Sequence, residues 1–200
     1  MAGLGAVNAV GDSLVALLRA RRDLLAAAGR LGPLPASFPI AHASLAQLAG
    51  ATLPTAGLTL TCTRIVHSEH LAPSATPRPR ALALELQYLL VVWSATPAEE
   101  QAIMTWAMLE FAAHPVLDRA LLVGADVWER GETVQLLHEA LAEDALHRLW
   151  AGLQHRMRLC AAYRARVVRI GLGSGDDALP VVATRFGLTD ADPVLEGQGA

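Results

Sequence analysis

The chain has 200 residues, 53% of them hydrophobic but only 4% aromatic, and its 16 basic and 19 acidic side chains leave a formal charge of −3. A chain of this length buries roughly 70% of the surface its unfolded form exposes, enough for one core, here built from Leu, Val and Ala rather than large rings. The charges form no basic stripe of the kind nucleic acid requires, the longest continuous apolar run, 88–93, is far short of the roughly 20 residues that span a membrane, and Met1 to Val10 lack the basic head of a signal peptide, so a soluble, cytoplasmically made protein is expected.

Asp12 or Ser13 is suited to cap a first helix in which Leu14, Leu17, Leu18, Leu24, Leu25 and Ala28 recur at helical spacing, with Gly29 as the stop. Its other face carries Arg19, Arg22 and Asp23. The stretch 32–57, punctuated by Pro33, Pro35, Pro39 and Pro54, reads as loop with one short strand over 40–44. A strand over 58–66 sets Leu58, Leu60, Cys62 and Val66 against Thr59, Thr61, Thr63 and Ile65. A proline-rich loop over 67–80 leads to a long strand over 81–93, with Leu82, Leu84, Leu86, Tyr88, Leu90 and Val92 on one side. Its final part, 89–93, is apolar on both faces, as in a central strand.

The next helix is the best marked. Thr96, Pro97 and Glu99 supply an N-cap, a proline at the first helical position and the acid of a capping box, and Pro115 disfavours helix at His114. Ile103, Trp106 and Ala107 form one apolar stripe, Met104, Met108 and Phe111 a second, with Gln101 and Thr105 in a thin polar strip between. Two apolar faces predict burial on both sides. A strand over 132–138 and a helix over 141–153, with Leu146, Leu149, Trp150 and Leu153 on one face, follow. The last strand, 159–170, alternates Leu159, Ala161, Tyr163, Ala165 and Val167 against a face that includes Arg164 and Arg166. Strands and helices do not alternate as a parallel sheet requires, so the expected fold is a single α+β domain over 1–170, a mixed and mostly antiparallel sheet with packed helices. Residues 171–200 are expected to form a flexible linker and a C-terminal arm, with strand propensity at 180–186.

Candidate chemistry is thin. His67, Ser68, Glu69 and His70 have metal-ligand chemistry, but their spacing does not put both imidazoles on one helical face with a general base, and an exposed polar loop accounts for them. His138, Glu139, Asp144 and His147 straddle a strand-to-helix turn, where the acids suit a helix N-terminus without any catalytic role. Gly171, Gly173 and Gly175 miss the spacing of a dinucleotide loop and read as linker. Cys62 and Cys160 read as small buried hydrophobes. No cofactor, metal or catalytic set is therefore expected.

The order and spacing of several segments are more specific. LELQYLLVVW at 84–93, EEQAIMTWAMLEFAAHPVL at 99–117, ETVQLL at 132–137, the helix at 143–150 and RLCAAYRARVVRI at 158–170 together resemble the N-terminal domain of the tail-terminator, or cap, proteins of extracellular contractile injection systems, the group that includes the antifeeding prophage and related virulence cassettes. The resemblance is strongest at His114–Leu117 and 163–170, and it implies a structural subunit rather than an enzyme. It implies a ring, expected to be a homohexamer, seated on the inner tube protein and the sheath protein at the end distal to the baseplate, with neither nucleic acid nor membrane as partner. An adaptor elsewhere in the same particle, such as the baseplate, and a small metal-binding or hydrolase domain are the alternatives. A closed ring uses two different surfaces per subunit. The expected ones are the second stripe, Met104, Met108 and Phe111; Arg164 and Arg166, facing acidic groups of a partner or only water; and the arm residues Val181, Val182 and Phe186, which are able to extend a neighbouring sheet edge, while a fully core helix and a docked tail account for the stripe and the arm equally well.

Overall fold

The computed structural model describes residues 2–50, 56–68 and 81–171. In chain order these form α1 (Ala6–Ala27), β1 (Ile40–Ala43), α2 (Leu45–Ala49), β2 (Gly57–His67), β3 (Ala81–Trp93), α3 (Pro97–Ala113), β4 (Val116–Leu117), β5 (Val134–Glu139), α4 (Glu143–Leu153) and β6 (Cys160–Gly171). The strands make one sheet in the order β1-β2-β3-β6-β5-β4. Among these strands β1 and β2 pair in parallel and the other pairs are antiparallel. The α+β class and the mostly antiparallel sheet are thus as the patterning predicts. The long apolar strand is central because it is the one flanked along its length, by β2 and β6.

Both faces of this sheet are covered. On one side α1 and α3 lie over Leu58, Leu60, Leu86, Tyr88, Leu90 and Val92, continued by Tyr163, Ala165 and Val168 on β6. On the other, α2 and α4 cover Leu89, Val91 and Trp93 with Leu48, Trp150 and Leu153. This explains why 89–93 is apolar on both faces, and each fully buried aliphatic side chain there contributes about 1.5–3 kcal/mol. Inside the second layer Trp93 Nε1 donates to Thr59 Oγ1 at 3.0 Å, so the indole keeps its hydrogen bond while buried.

Several local expectations are corrected. Asp12 and Ser13 do not cap α1: the helix begins two turns earlier behind Gly5. Ala6, Ala9 and Val10 extend the buried stripe backwards, and this burial outweighs the capping preference. Ser13, inside the helix, donates to the Ala9 carbonyl and accepts from the amide of Val123. Asp12 pairs with His42 Nδ1 at 2.8 Å, tying the helix to β1. Arg19 and Arg22, on the polar side, donate to the carbonyls of Ile40 and Phe38, so this face also grips the chain entering the sheet. Gly29, at φ +64, ends the helix as expected. The 32–57 stretch holds, beyond its short strand, a helix capped by a reciprocal Ser44–Gln47 box.

Two β-bulges change which side chains share a face. Cys62 and Arg64 oppose Tyr88 and Gln87, so Thr63 is an extra residue in β2. Beyond it Ile65 comes opposite Leu86, on the α1 side, and Val66 opposite Glu85 on the other, the reverse of strict alternation. In β6, Ala165 and Val168 oppose Leu86 and Leu84, which brings Val168 and Ile170 onto the buried face. The expected helix over 141–153 starts at Glu143, and the two-residue strand β4, too short to show alternation, was not predicted.

Candidate interaction surface

The surface of α3 follows from its sequence. Thr96 Oγ1 accepts from the Glu99 amide, as an N-cap does. The Glu99 carboxylate accepts from Ser94 Oγ at 2.6 Å instead of closing a capping box on Thr96. Ile103, Trp106 and Ala107 are buried as expected, but so are Met104 and Phe111, at 5% and 2% exposure. Phe111 packs edge-on against Tyr163 with 5.0 Å between ring centres, and Met108 is half-buried against the same core. Met104 and Phe111 of the second stripe are therefore packed inside the single chain, where α3 lies beside α1 over one face of the sheet, rather than on its outer surface.

What α3 does present outward is the strip Gln101, Thr105, Leu109 and Ala112, with Leu109 64% exposed. The helix's charges lie elsewhere: Glu99 and Glu100 in the first turn, and Glu110 buried on the inner side, paired with Arg21 Nε at 2.8 Å. An outward helical strip of three turns thus carries no charge. Exposed helix faces normally carry charge. The signal was present in the sequence, since Gln101 and Thr105 continue at four-residue spacing to Leu109.

Arg164 is likewise drawn inward. Its Nη1 lies 3.2 Å from Glu85 Oε2 and its Nε and Nη2 donate to both oxygens of Glu139, so one guanidinium joins β3, β6 and β5. Glu85, at 4% exposure, also accepts from Ser68 Oγ at 3.0 Å. The hydrogen bonds that the guanidinium donates to Glu139 are the main reason that the Arg164 pKa is pushed up. Arg164 therefore meets acidic groups of its own chain, Glu85 and Glu139. Arg166, half-buried beside Gln135, makes no ion pair among the described residues. Val181, Val182 and Phe186 lie outside the described residues.

The residues weighed for chemistry have structural employment. His138 packs edge-on against Tyr163, Asp144 pairs with Arg148 at 2.7 Å and His147 lies 3.8 Å from Glu143. His67 ends β2, while Glu69 and His70 lie outside the described residues. Burial pushes up the thiols of Cys62 and Cys160 and the phenols of Tyr88 and Tyr163, the last to about 12, which keeps all four neutral near pH 7. A cleft of about 210 Å³ lies beside α4, lined among others by Arg64, Gln87, Glu139 and Leu141. Among the described residues no helix is long and apolar enough to cross a membrane.

A mixed six-stranded sheet with helices on both faces defines an α+β domain. The chain belongs to the Pvc16 N-terminal domain family, whose model matches residues 9–184. Among solved structures it is similar to the PVC sheath/tube terminator of an extracellular contractile injection system in the extended state, with TM-score 0.55 and 19% identity over 84% of this chain. The chain spans 57% of that terminator's length. It is also similar to the anti-feeding prophage cap, the AFP tube-terminating cap, with TM-score 0.41 and 18% identity over 58% of this chain and 43% of that one. No curated protein matches the chain.

Proposed function

We propose that this chain is a structural terminator of a phage-tail-like contractile particle, a ring of identical copies, six in number, that covers the last ring of the inner tube and grips the sheath at the end distal to the baseplate. It performs no catalysis and needs no cofactor, and it is made and assembled in the cytoplasm. Membership of the Pvc16 N-terminal domain family supports this reading, together with the likeness to a sheath/tube terminator. The observation that carries it on the molecule is the uncharged outward strip of α3: Leu109 is 64% exposed between Thr105 and Ala112, a surface suited to covering by protein. In a closed ring it packs against a different surface of the adjacent copy, and Arg166, which makes no ion pair among the described residues, is the cation offered to the tube or sheath.

Deleting the gene from a producing strain is the direct test. Electron microscopy should show intact baseplates carrying tubes or sheaths of abnormal length; particles of normal length would overturn the proposal. For the ring itself, Leu109→Glu should leave a folded chain that no longer assembles by light scattering, since a charge placed on an exposed helix position costs the monomer within about 0.5 kcal/mol. Rings that persist in L109E exclude this strip as the contact.

A further inference from the structure

The outward strip of α3 advances in steps of four, Gln101, Thr105 and Leu109, before it ends at Ala112. On the opposite face of the sheet a second line has the same step: Leu141, just ahead of α4, then Ala145 and Leu149. Residues four apart on a helix make a ridge, and ridges of this kind on two helices interdigitate in the commonest class of helix packing. Each line spans eight residues, about 12 Å along a helix axis. The two match in pitch and length, but the sheet lies between them and keeps them apart within one chain.

The α4 line borders a cavity. Together with Leu89 of β3 it lines the cleft of about 210 Å³, and Leu141 is 40% exposed. This is below the roughly 300–1,000 Å³ of small-molecule sites and suits single side chains instead. Two charged side chains also line it, Arg64 and Glu139. Glu139 is held by the Arg164 guanidinium, whereas Arg64 is exposed and makes no ion pair among the described residues. The cleft therefore combines apolar walls with one uncompensated cation.

The strip on α3 has the complementary character. Glu99 and Glu100 stand in the first turn of the helix, and beyond them the outward side is uncharged as far as Leu109, which is 64% exposed. Laid along the α4 line, the strip brings Leu109 against apolar side chains and its acidic first turn towards Arg64. Ala145, in the middle of that line, is small enough to let a second helix approach closely. Both surfaces are present on every copy and on opposite faces, so a contact between the first copy and the second is repeated by the second on a third, as a closed heterologous ring requires.

We infer that the α3 strip of one copy seats in the α4 cleft of the next, with Leu109 entering beside Leu141, Ala145 and Leu149 and the acidic first turn of α3 meeting Arg64. This rests on the ring reading above and specifies the second surface of its contact.

Cross-linking of the full chain in a Cys62→Ser, Cys160→Ser background tests it. The variant carrying both Leu109→Cys and Ala145→Cys should give a ladder of covalent dimers and higher oligomers with a short bis-maleimide on denaturing electrophoresis, and mass spectrometry should place the bridges between 109 and 145. Neither cysteine alone should give a ladder. Dimers from L109C alone would mean that two strips meet each other, and would overturn the inference. Rings seen by light scattering without 109–145 bridges would also overturn it and leave the ring itself standing, whereas a parent chain that stays monomeric at every concentration would remove the ring and this contact together. Ala145→Trp fills the cleft from a half-buried helix position and should weaken assembly at least about tenfold with an unchanged circular dichroism spectrum. Assembly of folded A145W at parental strength would count against the cleft, and the cross-links decide the matter whether or not that variant folds.

Discussion

Arg164→Met is the most informative single substitution, because Arg164 was the residue that its sequence surroundings pointed outward and the fold turned inward. Met retains much of the aliphatic stem, so the change removes chiefly the guanidinium. What remains is Glu85, whose side chain is 5% exposed, and Glu139, at 23%, facing one another across β6 without their shared cation. Breaking a buried pair from one side costs about 3–5 kcal/mol. Arg164 itself is 30% exposed, so water relieves part of this and the lower end, about 3 kcal/mol, is expected. For a chain of this size that corresponds to a fall in Tm of about 6–12 °C, at about 2–4 °C per kcal/mol. Urea denaturation at concentrations that keep the chain monomeric measures it. Adding Glu85→Gln should recover about 1 kcal/mol or more, since the amide carries no charge and keeps an oxygen for Ser68 Oγ. If R164M leaves the monomer's stability within about 0.5 kcal/mol of the parent yet abolishes assembly, the internal-network reasoning fails and Arg164 acts at an interface.

Phe111→Ala should destabilise the chain by about 3–5 kcal/mol in the same assay, as a fully buried ring against Tyr163 is lost, in contrast with Leu109→Glu only two positions away. Gly57→Ala should lower expression and cost about 1–3 kcal/mol by thermal denaturation: the position has φ +125, and a Cβ there falls 2.3 Å from the Pro39 carbonyl oxygen. Burial raises the Tyr163 phenol from 10.0 to about 12, so the folded state holds its proton longer than the unfolded one; its contribution to stability is complete below pH 10 and should disappear between pH 10 and about 12, followed by urea midpoints together with tyrosinate absorbance.

Much of this architecture was legible before folding. Thr96 and Pro97 at one end and Pro115 at the other bracket α3 within the chain, because capping and proline geometry act over three or four residues. The two-sided apolarity of 89–93 announced a covered central strand, since a strand's side chains alternate whatever packs on them. The family resemblance, too, lay in segments whose order and spacing are properties of the sequence. What lay beyond local reading were the contacts between distant segments. Whether the Met104–Phe111 stripe or the Leu109 strip faces out depends on α1 and β6 closing over one side of the helix, and nothing within α3 states which side is taken. Arg164 lies 79 residues from Glu85 and 25 from Glu139, so only the strand register brings the three charges together. The bulge at Thr63 that moves Ile65 to the α1 side is set by pairing with β3, and a one-residue slip of this kind reverses a face because the side-chain period of a strand is two.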